Sequence, residues 1–332
     1  MSSAITSRAQ CVCAGQSQGQ KLRVVPILGP SHEEPLYELL RQQTLASILV
    51  TEINEHGSVP ELQVQNRLAV RVFLMDGQEL VGAKQNRILN TDVLVPANAT
   101  LKIPVSCVEQ GRWHHNSHSF SVGKSASHRT RRAKLSRVYA SLKSAQGHDA
   151  DQQAVWDEVH FCLAASGASS ETMALNDAYA QREQEFRTFR TSLRMPQEAV
   201  GLAVFHGGRF QGLDLFDRHS TLAYFWESLV DSYAMDLLGV AVDPAQPTSE
   251  EGQIVRGVLD QVIGSKWEPF ASPGEGTEWR VDGDLAAAAL VWDEKVVVHL
   301  QVFPRAHQGH EQTRTYRPRI RRRYGRRPPR AE

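Results

Sequence analysis

A chain of 332 residues has room for one large domain or two small ones, and either can bury a core. Its 41% hydrophobic and 22% charged residues are the balance of a soluble globular protein. No apolar run approaches the ~18 residues that a membrane-crossing helix needs.

The start of the chain lacks the apolar core of a signal peptide. It has no acid before Glu33 and several Ser, features that a transit peptide would share. The four cysteines (Cys11, Cys13, Cys107 and Cys162) form no CxxC pair, so neither a zinc site nor a disulfide framework is expected. A reducing, cytoplasmic compartment fits best.

The formal net charge of zero conceals a division. Segment 314–332 holds nine Arg and one acid, so the body carries about −8 and the tail about +8. The tail mixes Arg with Pro and Gly and has no apolar period, which predicts disorder. It suits either nucleic-acid phosphates or simple neutralisation of an acidic body.

Residues 1–20 are small and polar and are expected to be disordered. Residues 22–28 read as a strand stopped by Gly29-Pro30. Leu36, Leu39, Leu40 and Leu45 recur at helical spacing, which predicts a helix over 35–47. Strands follow over 48–53 and 59–64, around the turn His56-Gly57-Ser58. Five short strands come next, over 70–74, 78–81, 85–89, 93–95 and 101–108, punctuated by turns such as Asp76-Gly77. This spacing predicts an antiparallel sandwich or a partly closed barrel. Residues 114–128 read as a loop. Its His114, His115, His118 and His128 match no metal-ligand spacing, so no metal site is expected.

From 131 to about 194 the pattern is helical. Asp151-Gln152 opens one helix, with Val155, Trp156, Val159, Cys162 and Leu163 on its apolar face; a second runs over 170–189. In the last third, strands over 199–205 and 210–215 flank the turn His206-Gly207-Gly208-Arg209. Amphipathic helices follow over 222–238 and 250–263, then strands over 265–270, 278–281, 284–292 and 295–303. The fold class is α+β: a β-rich N-terminal half, a helical middle and an α+β C-terminal part. One domain is expected over 21–305, in parts 21–113, 126–195 and 196–305, ahead of a disordered Arg-rich tail, 306–332.

Two polar motifs stand out in the β-rich half: Gly82-Ala83-Lys84-Gln85-Asn86-Arg87 and Ser106-Cys107-Val108-Glu109-Gln110-Gly111-Arg112-Trp113. Ordinary strands spread charge thinly over one face, and dense polar groups are costly when buried unpaired. Together the motifs predict a polar site. Glu79 and Glu109 are candidates for a general acid and base, because two carboxylates in different environments separate their pKa values. The alternative is that they pair with Lys84, Arg87 or Arg112. Those three cations suit phosphate or carboxylate.

Gln85, Asn86 and Gln110 offer amide donors and acceptors for a base, ribose or amide. Trp113 offers a stacking face, or else core packing. Cys107 alternates with Leu101, Ile103 and Val105 and is expected to be buried and structural. Glu109 continues that face to its end, where a pocket is expected. Gln152 and Trp156, at i and i+4 on one helix face, are expected to reach the same pocket. His219 and His299 read as structural. Neither a P-loop nor GxGxxG occurs in the motifs.

The runs DGQELVGAKQNRILN, IPVSCVEQGRW and DQQAVW resemble the ARPP-1 family, the ARG and rhodanese-phosphatase-superfamily-associated protein domain, where ARG means ADP-ribosylglycohydrolase. GLAVFHGGRFQGLDLFD and VVVHLQVF fit the same family, over about 22–304. The resemblance marks Glu79, Gly82, Lys84, Gln85, Asn86, Arg87, Cys107, Glu109, Gly111, Arg112, Trp113, Gln152 and Trp156. Gln78 stands where the family usually has the first acid of a Gly-Glu-Glu run. The implied ligand is ADP-ribose or a related phosphorylated nucleotide metabolite. The alternative is a non-catalytic scaffold that acts beside ADP-ribose-processing enzymes. No cofactor and no oligomeric state follows from the residues.

Overall fold

The structure is a computed structural model that describes residues 3–19, 21–32, 36–238 and 250–305. The Arg-rich tail lies outside the described residues.

The chain opens with α1 (Ser3–Gln10) and β1 (Cys13–Ala14), followed by β2 (Leu22–Leu28). Disorder was expected over 1–20; the described residues 3–19 hold α1 and β1 instead. Ile5 and Ala9 are fully buried, because this short helix lays one apolar edge on a sheet. Its polar composition hides two well-spaced contacts.

β3 (Tyr37–Leu39) replaces the helix expected over 35–47, and a 3-10 turn spans Gln42–Thr44. Tyr37 and Leu39 are buried and Glu38 between them less so, which is strand alternation. A parallel partner strand supplies the hydrogen bonds, and tertiary pairing overrides the leucine spacing.

The N-terminal half continues through β4 (Ile48–Glu52), β5 (Glu61–Asn66), β6 (Arg71–Leu74), β7 (Gln78–Gly82), β8 (Arg87–Leu89), β9 (Val93–Val95), β10 (Thr100–Cys107) and β11 (Phe120–Ser125). β11 lies in the segment expected to be loop. It is a strand because β7 pairs with it, and Phe120 is its buried anchor. Six strands in the order β11-β7-β8-β10-β5-β4 curl into a half-barrel. β10 makes the corner by pairing with β5 up to Pro104 and with β8 from Val105 onward. β3, β6 and β9 form a small sheet beside it. Leu62, Val64, Ile103 and Val105 fill the space inside from the inward positions of alternating strands, and Leu80 of β7 joins them.

The middle is helical: α2 (His128–Lys143), α3 (Gln152–Ser166), α4 (Leu175–Gln181) and α5 (Glu183–Thr191). Ser127 and Asp151 cap α2 and α3 with their side chains, and Gly167 ends α3 in the left-handed region (φ 63°). The helix expected over 170–189 is two helices, α4 and α5, that meet at Arg182.

The last third holds β12 (Ala199–His206), β13 (Arg209–Phe216), α6 (His219–Met235), α7 (Glu251–Gly264), β14 (Glu268–Ala271), β15 (Thr277–Asp282), β16 (Leu285–Trp292) and β17 (Val296–Pro304). With β1 and β2 these strands build an eight-stranded antiparallel sheet, β1-β2-β12-β13-β17-β16-β15-β14. One face packs on α1 and α7 through Val25, Ala203, Leu213 and Leu300. The other carries Val24, Leu202 and Val204, which share one core with α2–α6 and with Phe73, Ile88 and Val108 of the N-terminal half. β2, β12 and β16 are buried on both faces and read as near-continuous apolar runs. Among the described residues no helix is long and apolar enough to cross a membrane.

Candidate functional site

The two polar motifs meet where β7 turns into β8 and where the chain leaves β10. The turn needs a tight backbone: Ala83 has φ 42° and Gly82 φ 128°. Glu109 fastens it. One Glu109 oxygen accepts from Arg112 Nε (2.8 Å) and Thr172 Oγ1 (2.8 Å). The other accepts from Arg112 Nη2 (2.6 Å) and the Asn86 amide N–H (3.0 Å). Arg112 also donates to the Ala83, Gly82 and His114 carbonyls and to Asn86 Oδ1. Burial alone would raise the Glu109 pKa, but the bonds from Arg112, Thr172 and Asn86 outweigh it and hold the carboxyl below its ordinary value. Both oxygens are committed and the residue is buried, so the strand face does not open to a pocket at Glu109 as expected. Glu109 and Arg112 brace the loop.

Gln85 and Gln152 also face inward. The Gln85 amide donates to the Glu109 carbonyl (2.8 Å), and its oxygen accepts from Arg87 Nη1 (2.8 Å) and the Cys107 thiol (3.0 Å). Gln152 pairs with the Cys107 backbone as a neighbouring strand would, accepting its N–H (2.7 Å) and donating to its carbonyl (2.9 Å). This ties α3 to β10. Gln152→Ala leaves two strand groups without partners and is expected to cost about 1–3 kcal/mol in urea unfolding. A loss under ~0.5 kcal/mol would mean that water replaces the amide. Cys107 is buried, and burial pushes its thiol up to about 11, which disfavours the thiolate.

Glu79, Arg87 and Glu52 keep unpartnered polar atoms, and Trp113 keeps an exposed ring face. Glu79 has no exposed surface, and neither carboxylate oxygen has a hydrogen-bond partner. Burial first, then the charges of Glu109 and Asp177, raise its pKa to about 8. It faces a bulge at Gly123 and Lys124, where β11 shifts register against β7. A Cβ on Gly123 would sit 2.8 Å from Glu79 Oε2, so only glycine fits there.

Arg87 is fully buried, and its Nε and Nη2 have no partner. Desolvation lowers its pKa. Glu52, buried nearby, likewise leaves Oε2 unpartnered. Trp113 is 46% exposed rather than packed in the core. The Lys84 ammonium and the Arg87 guanidinium each lie 5.5 Å from its ring centre. Lys84 also donates to the Glu55 carbonyl. Gly57 lets these groups close up: a Cβ there would lie 3.1 Å from Lys84 Cδ and 3.4 Å from Trp113 Cζ2.

Lys84, Arg87, Glu52 and Trp113 thus form one cluster beside the Glu109–Arg112 brace. Gln152 stands apart and lines a cavity of about 450 Å³ between β10, the 146–149 segment and the 271–273 turn. Trp156 is half-buried, with its indole N–H unpartnered, and is not on that cavity's wall. Gln110 is exposed. Among the described residues no group of His, Cys, Asp or Glu could hold a metal ion.

The family model described as ARPP-1, ARG and Rhodanese-Phosphatase-superfamily-associated Protein domain, matches residues 10–303. The chain belongs to the ARPP-1 family. No curated protein and no solved structure matches it. The ARPP-1 match takes in both polar motifs and all of the elements from β1 onward except the last residue of β17.

A second polar group in this ARPP-1 chain was not legible as a site. His299 on β17 touches Asp92 through Nδ1 (2.9 Å) and Asp214 through Nε2 (3.2 Å). Asp214 is also bound by Arg131 and by the Tyr233 hydroxyl (3.1 Å). Lys134 pairs with Asp76, which accepts from Gln301 (2.7 Å). All are buried, with three acids facing three bases. Burial opposes charge on His299, but Asp92 and Asp214 prevail and raise its pKa to about 9. The one signal in sequence is polar residues inside apolar runs, Asp214 in LDLF and His299 and Gln301 in VVVHLQVF. His299 is structural, as expected, but as a charged link rather than a lone side chain. The network joins the half-barrel, α2 and the eight-stranded sheet.

Proposed function

We propose that this ARPP-1 chain binds a phosphorylated nucleotide metabolite of the ADP-ribose class at Lys84, Arg87 and Trp113. The observation that carries this reading is Arg87: a fully buried guanidinium with two unpartnered nitrogens, Nε and Nη2, beside a half-exposed tryptophan. A buried charge with open donors suits an anion. An exposed indole suits a base, and Lys84 adds a second positive charge. The family's name, with its reference to ADP-ribosylglycohydrolase, points to the same ligand class.

The test is calorimetric titration with ADP-ribose, with adenosine and ribose 5-phosphate as partial ligands. Trp113→Ala is expected to weaken ADP-ribose roughly 5- to 100-fold, the worth of one base stack. Its thermal midpoint should move little, since the ring is exposed. Arg87→Met should abolish preference for the phosphorylated ligands over adenosine. No binding by any of the three would favour the scaffold reading. That reading draws on the inward commitment of Glu109, Arg112 and Gln85, which hold each other rather than a ligand.

A further inference from the structure

The Trp113 ring lies against a guanidinium that solvent does not reach. Arg87 has no exposed surface, and its Nη1 is turned inward to donate to Gln85 Oε1 (2.8 Å). The ring centre is 5.5 Å from the guanidinium carbon and 5.5 Å from the Lys84 ammonium. Lys84 is itself only 9% exposed, whereas Trp113 is 46% exposed. Trp113 is therefore the outer layer of this stack, and a ligand arriving from solvent meets the indole before it meets either cation.

The backbone on both sides of the ring is fastened. Trp113 sits in the connection between β10 and β11. Before it, Arg112 is clamped by Glu109 (2.6 and 2.8 Å) and donates to the Ala83 carbonyl (2.5 Å). After it, the His114 carbonyl accepts from Arg112 (3.1 Å), and the Asn116 N–H donates to the Ala83 carbonyl (3.1 Å). A movement that uncovers Arg87 is thus a swing of the indole, not of the loop. Exposed side chains change rotamer in picoseconds to nanoseconds. What holds this one in place is its attraction to the two cations.

The geometry points to Trp113 as a lid: its ring closes over Arg87 and Lys84 in the free protein and swings out to admit the phosphates of an anionic ligand. The identity of that ligand rests on the nucleotide reading above, while the lid rests on the stack of ring and cations. An anion can bind only the open state. If that state is populated at about 10% or less, affinity for the anion falls about tenfold or more. Once open, the same indole is free to stack on a base. The ring therefore weakens binding of a bare anion and strengthens binding of a nucleotide.

The test uses the full chain and two readouts. Phenylglyoxal modifies accessible arginines, and peptide mass spectrometry reads Arg87 separately from the others. Trp113→Ala should speed the labelling of Arg87 by about tenfold or more. Inorganic pyrophosphate has no base, so it should bind Trp113→Ala about tenfold or more tighter than the wild type, while ADP-ribose binds the variant more weakly. The Arg-rich tail is common to all variants, so its share of pyrophosphate binding cancels. Arg87→Met in the Trp113→Ala background should remove the gain. Far-UV circular dichroism checks the fold. Trp113→Leu, which offers the cations no ring face, replaces an alanine variant that fails this check.

Equal labelling of Arg87 in the wild type and the variant would overturn the lid. A pyrophosphate gain that survives Arg87→Met would overturn it too. If labelling and pyrophosphate binding both rise but ADP-ribose binds neither protein, the lid stands and the nucleotide reading falls. If ADP-ribose binds and neither quantity rises, the lid falls and the nucleotide reading stands.

Discussion

Asp214→Asn lowers the unfolding free energy by about 3–5 kcal/mol, the cost of removing one partner from a buried ion group. Asp214 receives Arg131, His299 and Tyr233 at once, and all four are buried. Its burial favours the neutral acid, but Arg131 and His299 hold it well below the usual carboxylate range. Without its charge, Arg131 remains buried beside Gln301, the face of Phe303 and the charge of Asp76, which already pairs with Lys134. The thermal midpoint should fall on the order of 10 °C. Arg131→Met should cost a similar amount, and the double variant less than the sum, because the two losses are one interaction. Strict additivity would mean that the pair contributes nothing specific.

The same group has a pH signature. The His299 pKa is raised from 6.5 to about 9, so its contribution is complete below about pH 6.5 and is lost as pH rises through 9. Asp214→Asn should flatten the stability curve over that window. We propose further that residues 21–305 unfold as one unit, because this network and a shared core link all three parts. Calorimetry should then show a single transition that Asp214→Asn shifts without splitting.

Glu79→Gln is expected to stabilise the protein above neutral pH. Burial raises the Glu79 pKa from 4.5 to about 8, with Glu109 and Asp177 adding to the rise. The folded state therefore holds a proton that the unfolded chain releases. Stability falls as pH rises from about 4.5 to about 8 and levels off beyond. At about 1.4 kcal/mol per pKa unit, the full penalty is at most about 5 kcal/mol. Glutamine keeps the shape and has no proton to hold. The variant should gain roughly 3 kcal/mol at pH 7 and more at pH 9, measured by urea unfolding across pH. Parallel pH curves for the variant and the wild type would show that Glu79 titrates normally.

Elements with strong local grammar were legible. Asp151 announced α3 by a cap followed by an apolar period, and β2, β12, β13, β16 and β17 showed as separate strands, two of them flanking His206-Gly207-Gly208-Arg209. The two polar motifs were visible because their charge density is foreign to strands. Segments that depend on a distant partner were not legible. Tyr37–Leu39 is a strand because β6 receives it, and Phe120–Ser125 because β7 does, while α1 reads as a polar tail until it meets the sheet.

The sequence by itself determined the mixed α+β class, the family and one of the two places where polar side chains gather. Periodicity, turn residues and charge density are local properties, and they survive in one dimension. Only the tertiary structure decided what each polar side chain does. Glu109 became a brace and Glu79 a buried acid from the same residue type, because one meets Arg112, Thr172 and a backbone N–H and the other meets none. Burial and hydrogen-bond partners set a carboxyl's charge. Both come from residues far apart in the chain, and no local pattern records them.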